Sequence, residues 1–174
     1  MLDDKSTPAN GLQLFDTAIF LFDDEIKYQE KKRVEQILWP AHCVQHSHGA
    51  KLHKDLQILE STPNQHVISL FKGFDRDIDS YSAFWDNQKI RETELNLQLQ
   101  KYNVTRIFVA GLATDVCVYS TALHAAEYGY ETFIIEDACR GVDEAAIETR
   151  LDELVKLQCT VIQSADVKAL VESG

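Results

Sequence analysis

Val109-Ala110-Gly111-Leu112-Ala113-Thr114-Asp115-Val116-Cys117-Val118-Tyr119-Ser120 is the stretch whose reading decides the fold. Residues 106–110 lead into it as a β-branched and aromatic run, the composition of a buried parallel strand. Gly111 breaks that run where the chain has to turn sharply without a Cβ in the way. Thr114 or Asp115 is placed to cap a following helix. Its small and apolar positions Ala122, Leu123, Ala125 and Ala126 run on to the stop signal Tyr128-Gly129. The unit is strand, turn, helix, with Cys117 in the first helical turn. At such a position backbone N–H groups and the helix dipole favour a thiolate, and the same N–H groups hold an oxyanion. The carboxyl end of a parallel strand is also where open α/β sheets bind ligands. Two readings of Cys117 stand here, a nucleophile and a buried structural thiol.

Working outward, residues 131–135 read as the next strand and residues 137–141 (DACRG) as the turn out of it. Residues 143–157 form a helix with Ala146, Ile147, Leu151, Leu154 and Val155 on one face, and residues 159–163 close with a strand. Upstream, residues 93–102 are amphipathic, with Asn103 as C-cap, and residues 66–71 (HVISLF) are a strand ending in Lys72-Gly73. Strand and helix alternate from residue 66 onward, so the fold class is α/β, a parallel sheet with helices on both faces. A lysine after a strand is ordinarily solvated. At the carboxyl edge of a buried sheet it points into the ligand crevice, where a cation steadies a thiolate and developing negative charge.

Nearer the N-terminus, residues 17–22 (TAIFLF) read as a short strand and residues 23–38 as a charged helix with Lys31, Lys32 and Arg33 on its solvated face. Residues 1–16 are expected to be a mobile leader and 17–174 one domain. In Trp39-Pro40-Ala41-His42-Cys43-Val44-Gln45, Pro40 fixes its own φ and pushes Trp39 into an extended conformation, which makes a shaped loop. On its own terms Trp39 is a core residue and His42 a hydrogen-bonded loop histidine. The spacing of His42, His46, His48 and His53 matches no compact zinc pattern.

The bulk properties exclude more than they specify. A chain of 174 residues with 45% hydrophobic and 26% charged residues is an ordinary globular domain with a real core. Its net charge of -11 argues against nucleic acid and anionic membranes. The apolar run Ala18 to Phe22 is too short for a signal sequence or a membrane span. Four cysteines without CxxC pairing suit a reducing compartment, cytoplasm or nucleus. Cys43, Cys139 and Cys159 are read as structural.

Residues 111–122, Gly-Leu-Ala-Thr-Asp-Val-Cys-Val-Tyr-Ser-Thr-Ala, closely resemble the cysteine motif of nicotinamidases, in the isochorismatase-like hydrolase superfamily. Two further stretches are similar to that family: Trp39-Pro40-Ala41-His42-Cys43-Val44-Gln45 with the Gly49-Ala50 and Leu52 to Leu56 segments after it, and Phe71-Lys72-Gly73 through Asp79-Ser80-Tyr81-Ser82-Ala83-Phe84. The resemblance covers roughly residues 35–167. It implies a three-layer sandwich around a parallel sheet and an amidohydrolase that converts nicotinamide to nicotinate and ammonia in NAD salvage. Cys117 would be the nucleophile, Lys72 a second member of the triad, and the N–H groups of Ala113 and Cys117 the oxyanion hole, with Leu112–Ala113 a cis peptide. Trp39 and Tyr81 would flank the pyridine ring, and His42 would be a ligand to a divalent metal, zinc in the family, that binds the ring nitrogen. The partner implied is the small-molecule substrate, with homo-oligomers left open. The family's first strand, which ends in an aspartate base, and its Asp-x-His metal pair have no counterpart in this sequence. Asp23, at the end of TAIFLF, is the residue placed most like that aspartate; Asp115 lies on the wrong side of its turn, and His124 is about 10 Å along the helix from Cys117. The alternative expectation is a truncated, inactive isoform or fragment that serves as a binding or dimerisation partner.

Overall fold

The computed structural model describes residues 11–22, 32–56 and 66–173. It divides into two compact units, Met1–His66 and Val67–Gly174. In the first, β1 (Thr17–Phe22) pairs antiparallel with β2 (Lys32–Ile37), Thr17 opposite Ile37 and Phe22 opposite Lys32. The TAIFLF strand is thus where the sequence predicts it. The helix expected over residues 23–38 is corrected at its C-terminal half, because residues 32–37 are a strand. Residues 23–31, with the base candidate Asp23, and residues 1–10 of the expected leader lie outside the described residues. Pairing explains the correction: a strand must satisfy its N–H and C=O groups on a neighbour, and β2 supplies that ladder for β1. Alternation then buries Val34 and leaves Arg33 and Glu35 exposed, a period of two rather than a helical face. Residues 15 and 16 are tied into the same unit, since Phe15 N–H donates to Leu38 O at 2.7 Å and Leu38 N–H to Asp16 O at 3.0 Å.

The second unit is an α/β assembly in which helices flank a parallel sheet of order β3-β4-β5, comprising β3 (Arg106–Leu112), β4 (Glu131–Arg140) and β5 (Thr160–Ile162). Its helices are α1 (Leu95–Lys101), α2 (Tyr119–Glu127), α3 (Glu144–Lys156) and α4 (Val167–Glu172). Val109 and Ile134 from the sheet, Val118 and Ala122 from the cysteine turn and α2, and Leu154 from α3 form one buried cluster with Cys139 and Cys159. Burial pushes both of those thiols up from the ordinary cysteine range, as expected of structural cysteines, whereas Cys43 is exposed and is no core residue. The register of β3 and β4 puts Phe108 opposite Phe133, with ring centroids 4.8 Å apart, and Arg106 opposite Glu131, paired at 2.7 Å.

Three further boundaries differ from expectation. β4 continues through residues 137–140 instead of turning, because Gly111 and Leu112 of β3 extend the ladder to Cys139 and Arg140. Residues 66–71 are not a strand: no ladder partner holds them among the described residues, and Val67, Ile68 and Phe71 are exposed. Residue Asn103 does stand just beyond α1 with φ 53°, the left-handed geometry of a helix end. Among the described residues no helix is long and apolar enough to cross a membrane.

Candidate active site

The chain leaves β3 through a register shift between Val109 and Gly111, where Gly111 adopts φ 131°, a conformation open to glycine. The Leu112–Ala113 peptide that follows is cis, as the resemblance implies. The next turn, Thr114–Val118, is a π-type turn rather than an ordinary first helical turn. Its width comes from two bonds that each span five residues, Val118 N–H to Ala113 O at 3.0 Å and Tyr119 N–H to Thr114 O, while Val116 N–H also donates to Ala113 O at 3.1 Å. Cys117 sits half-buried in this turn, immediately before α2.

Lys72 reaches Cys117 from elsewhere in the unit. Its ammonium donates to Ser80 O and Tyr81 O at 2.7 Å each and to Cys117 Sγ at 3.2 Å. An ammonium has three N–H groups and no acceptor, so two carbonyls take two of them and leave the third for the sulfur. Both carbonyl bonds are short, as suits a charged donor. The lysine is therefore placed by its charged end, not by the strand expected before it.

The carbonyls are themselves held. Ala83 N–H donates to Thr121 Oγ1 at 3.0 Å, and Thr121 stands four residues after Cys117, one turn along on the same helical side. Thr93 closes the loop with Oγ1 on Ala83 O and N–H on Phe84 O, both 2.7 Å. The buried Asp86 carboxylate accepts from the N–H groups of Gln88, Ile90 and Arg91. Phe84, fully buried, lies against the rings of Tyr128 and Tyr130. Tyr128 donates to Glu92 and accepts from Trp85 Nε1, and burial with the Glu92 bond pushes its phenol up to about 12. The sequence reading singled out Lys72, Tyr81 and Cys117 but missed Asp86, Asn87, Thr93 and Thr121. The available signal was Asp86-Asn87, an Asx pair of the kind that organises turns.

Asp115 is fully engaged as a strut: its two carboxylate oxygens accept Val142 N–H and Asp143 N–H, each at 3.0 Å. Those bonds tie the cysteine turn to the start of α3 and set Asp115 apart from base chemistry, as its sequence position implied. His124 is buried on α2 beside Glu127, and its Nδ1 has no hydrogen-bond partner among the described residues.

An isochorismatase domain profile matches residues 14–166. The chain belongs to the isochorismatase family. Among relatives, the Escherichia coli nicotinamidase is 42% identical over 109 residues, 62% of this chain and 48% of that protein. The structure of yeast nicotinamidase bound to the inhibitor nicotinaldehyde is similar with a TM-score of 0.76 at 28% identity, over 90% of this chain and 72% of that one. A Pyrococcus horikoshii pyrazinamidase, solved in complex with zinc, is similar with a TM-score of 0.58 at 31% identity, over 72% of this chain and 63% of that one. The chain spans about half the length of the curated relatives it matches first.

Of the site residues expected from the resemblance, the structure brings Lys72 and Cys117 together, with Ala113 at the base of the turn, while Tyr81, expected for its ring, meets Lys72 through its backbone carbonyl. Trp39 and His42 belong to the Met1–His66 unit. There Trp39 stacks edge-on against Phe15, centroids 5.8 Å apart. His42 Nδ1 lies 2.7 Å from Pro40 O; a carbonyl only accepts, so Nδ1 donates in this bond and Nε2 is the nitrogen turned outward. That is the arrangement of a metal-binding histidine, but one ligand does not make a site. Among the described residues no three His, Cys, Asp or Glu side chains come together to hold an ion. The described residues do not fit a bound metal.

Proposed function

We propose that this chain carries the nucleophilic centre of a nicotinamidase-type amidohydrolase, turning nicotinamide and water into nicotinate and ammonia in NAD salvage. The supporting observation is the Lys72–Cys117 contact, in which two carbonyls commit the lysine to the sulfur. The Cys117 thiolate, its proton passed to solvent water, attacks the carboxamide carbon. The C–S bond forms, the carbonyl oxygen takes up negative charge, and the C–N bond then breaks with proton return to release ammonia. Water hydrolyses the thioester to nicotinate and restores the thiol. Lys72 stabilises the anionic sulfur before attack and after hydrolysis. The N–H groups of Ala113 and Cys117 take the oxyanion, and Tyr81 flanks the ring. An aldehyde such as the one bound to the yeast relative offers the same kind of electrophilic carbonyl to a nucleophile.

The test is ammonia release from nicotinamide by the purified chain, with and without added zinc, beside Cys117→Ala. Release that vanishes in Cys117→Ala is expected. Release that persists in that variant removes Cys117 as nucleophile, and none from the folded parent chain refutes the activity for this chain.

A further inference from the structure

We infer that Asn87 is a positioning residue for the Lys72–Cys117 pair, acting through the peptide group between Ser80 and Tyr81. This rests on the reading of Cys117 as nucleophile and Lys72 as its cation. Asn87 Oδ1 accepts the Tyr81 N–H at 2.9 Å, and the Asn87 N–H donates to Asp79 O at 2.8 Å. The residue therefore grips residues 79–81 at two points. The Tyr81 N–H and the Ser80 C=O belong to one planar peptide unit and point in opposite directions. Asn87 holds the N–H side of that plane while Lys72 Nζ holds the C=O side at 2.7 Å. If the Asn87 acceptor is removed, the plane loses the bond that fixes its N–H side, and the Ser80 carbonyl shifts from the direction that commits the third lysine N–H to Cys117 Sγ. An acceptor on the N–H also polarises the same peptide toward a stronger carbonyl acceptor, so the two bonds reinforce each other. The side chain's oxygen is required at this place because the partner is a donor; its amide nitrogen is not.

The four cysteines of the full chain make the experiment internally controlled. Cys43 is exposed and lies in the other unit, and Cys139 and Cys159 are buried in the core. Carbamidomethylation by iodoacetamide at pH 7 is followed at each cysteine by peptide mass spectrometry in the parent, Asn87→Leu, Asn87→Asp and Lys72→Met. A cation beside the sulfur favours the anion that iodoacetamide alkylates. Loss of one hydrogen bond's worth of placement predicts a Cys117:Cys43 rate ratio lower by about fivefold in Asn87→Leu. Asn87→Asp, which keeps the acceptor, restores the parent ratio, and Cys139 and Cys159 stay unlabelled throughout. An unchanged ratio in Asn87→Leu alongside a drop in Lys72→Met overturns the role of Asn87 while keeping the pair. An unchanged ratio in Lys72→Met refutes the pair itself, and the proposal with it. Labelling of Cys139 and Cys159 in Asn87→Leu assigns Asn87 to general loop stability and overturns the positioning role.

Discussion

Gly141, between β4 and α3, tests whether the strut from Asp115 sets the stability of the cysteine turn. Its backbone is not in the left-handed region, so glycine answers there to space alone. A Cβ would lie 2.6 Å from Asp115 Oδ1, 2.6 Å from Ile147 Cδ1 and 2.7 Å from Ile147 Cγ1, where ordinary contact begins at 3.4 Å. Ile147 Cδ1 can move by rotation about χ2, but Cγ1 moves only with χ1, which a helix restricts for a β-branched residue. Asp115 Oδ1 does not move freely, because it accepts the Val142 N–H while its other oxygen accepts the Asp143 N–H. Overpacking of this kind costs about 1–3 kcal/mol, and weakening a bond to a charged acceptor adds on the order of 1 kcal/mol. Gly141→Ala is therefore expected to lower stability by about 2–4 kcal/mol, which at a urea slope of about 2–3 kcal/mol/M moves the midpoint down by about 1 M. Urea unfolding followed by far-UV circular dichroism reads this directly. Asp115→Ala supplies the second corner of a cycle: if the methyl acts through the strut, the double variant loses less than the sum of the singles by about 1 kcal/mol. A midpoint unchanged at constant slope refutes the clash, and additive losses refute its route through Asp115.

Asp143 caps α3 with its side chain on the Ala146 N–H at 2.7 Å, so Asp143→Ala is expected to cost about 1 kcal/mol in the same urea assay. Phe84→Ala empties a fully buried site against Tyr128 and Tyr130 and is expected to cost about 3–5 kcal/mol, read as a large fall in thermal midpoint. His124 is pushed below 6.5 first by burial and then by the Lys89 ammonium, with Glu127 opposing. The native state then binds fewer protons there than the unfolded chain. This contribution to stability is complete above pH 6.5 and is lost as the pH falls through the folded value. In His124→Gln the decline of the urea midpoint below pH 6.5 is expected to flatten; an undiminished decline assigns the effect to other groups. Lys72→Ala is expected to lower cysteine-dependent ammonia release by about 10²-fold with the fold intact, judged by circular dichroism.

What the sequence made legible was local punctuation. Gly111, the apolar run before it and the small-residue helix after it need only their own neighbours to declare strand, turn and helix, and they appear as β3, the wide turn and α2. The segment 32–37 was not legible in that way. Lys32, Arg33 and Glu35 suit the solvated side of a helix or of a strand equally, and the choice was made by β1, which needed a partner for its main chain. Residues 66–71 show the converse: HVISLF has strand composition but no ladder among the described residues, and composition without a partner does not make a strand. Thr121 was missed because its bond goes to a backbone N–H 38 residues away, which no local pattern records, whereas Asp86 and Asn87 bond within their own loop and the Asx pair was the signal for them.

This bears on how the candidate site is built. Sequence reasoning located Lys72 by the strand expected before it, at the carboxyl edge of a sheet. That strand is absent from the described ladder, yet the lysine meets Cys117 all the same. Its stem is exposed and its backbone unpaired by any described strand, so the precision of the contact has to come from the head group. Two of its three N–H groups rest on carbonyls of the loop that Thr121 pins to the cysteine's own helix. Cation and thiol are thus referenced to one element, α2, and not to two strands of a sheet. Displacing the sheet edge would move both together, whereas loosening the 79–87 loop would separate them. Damage to the pair is accordingly expected from substitutions at Asn87 or Thr121 sooner than from apolar changes in residues 66–71, and the per-cysteine alkylation assay ranks the two.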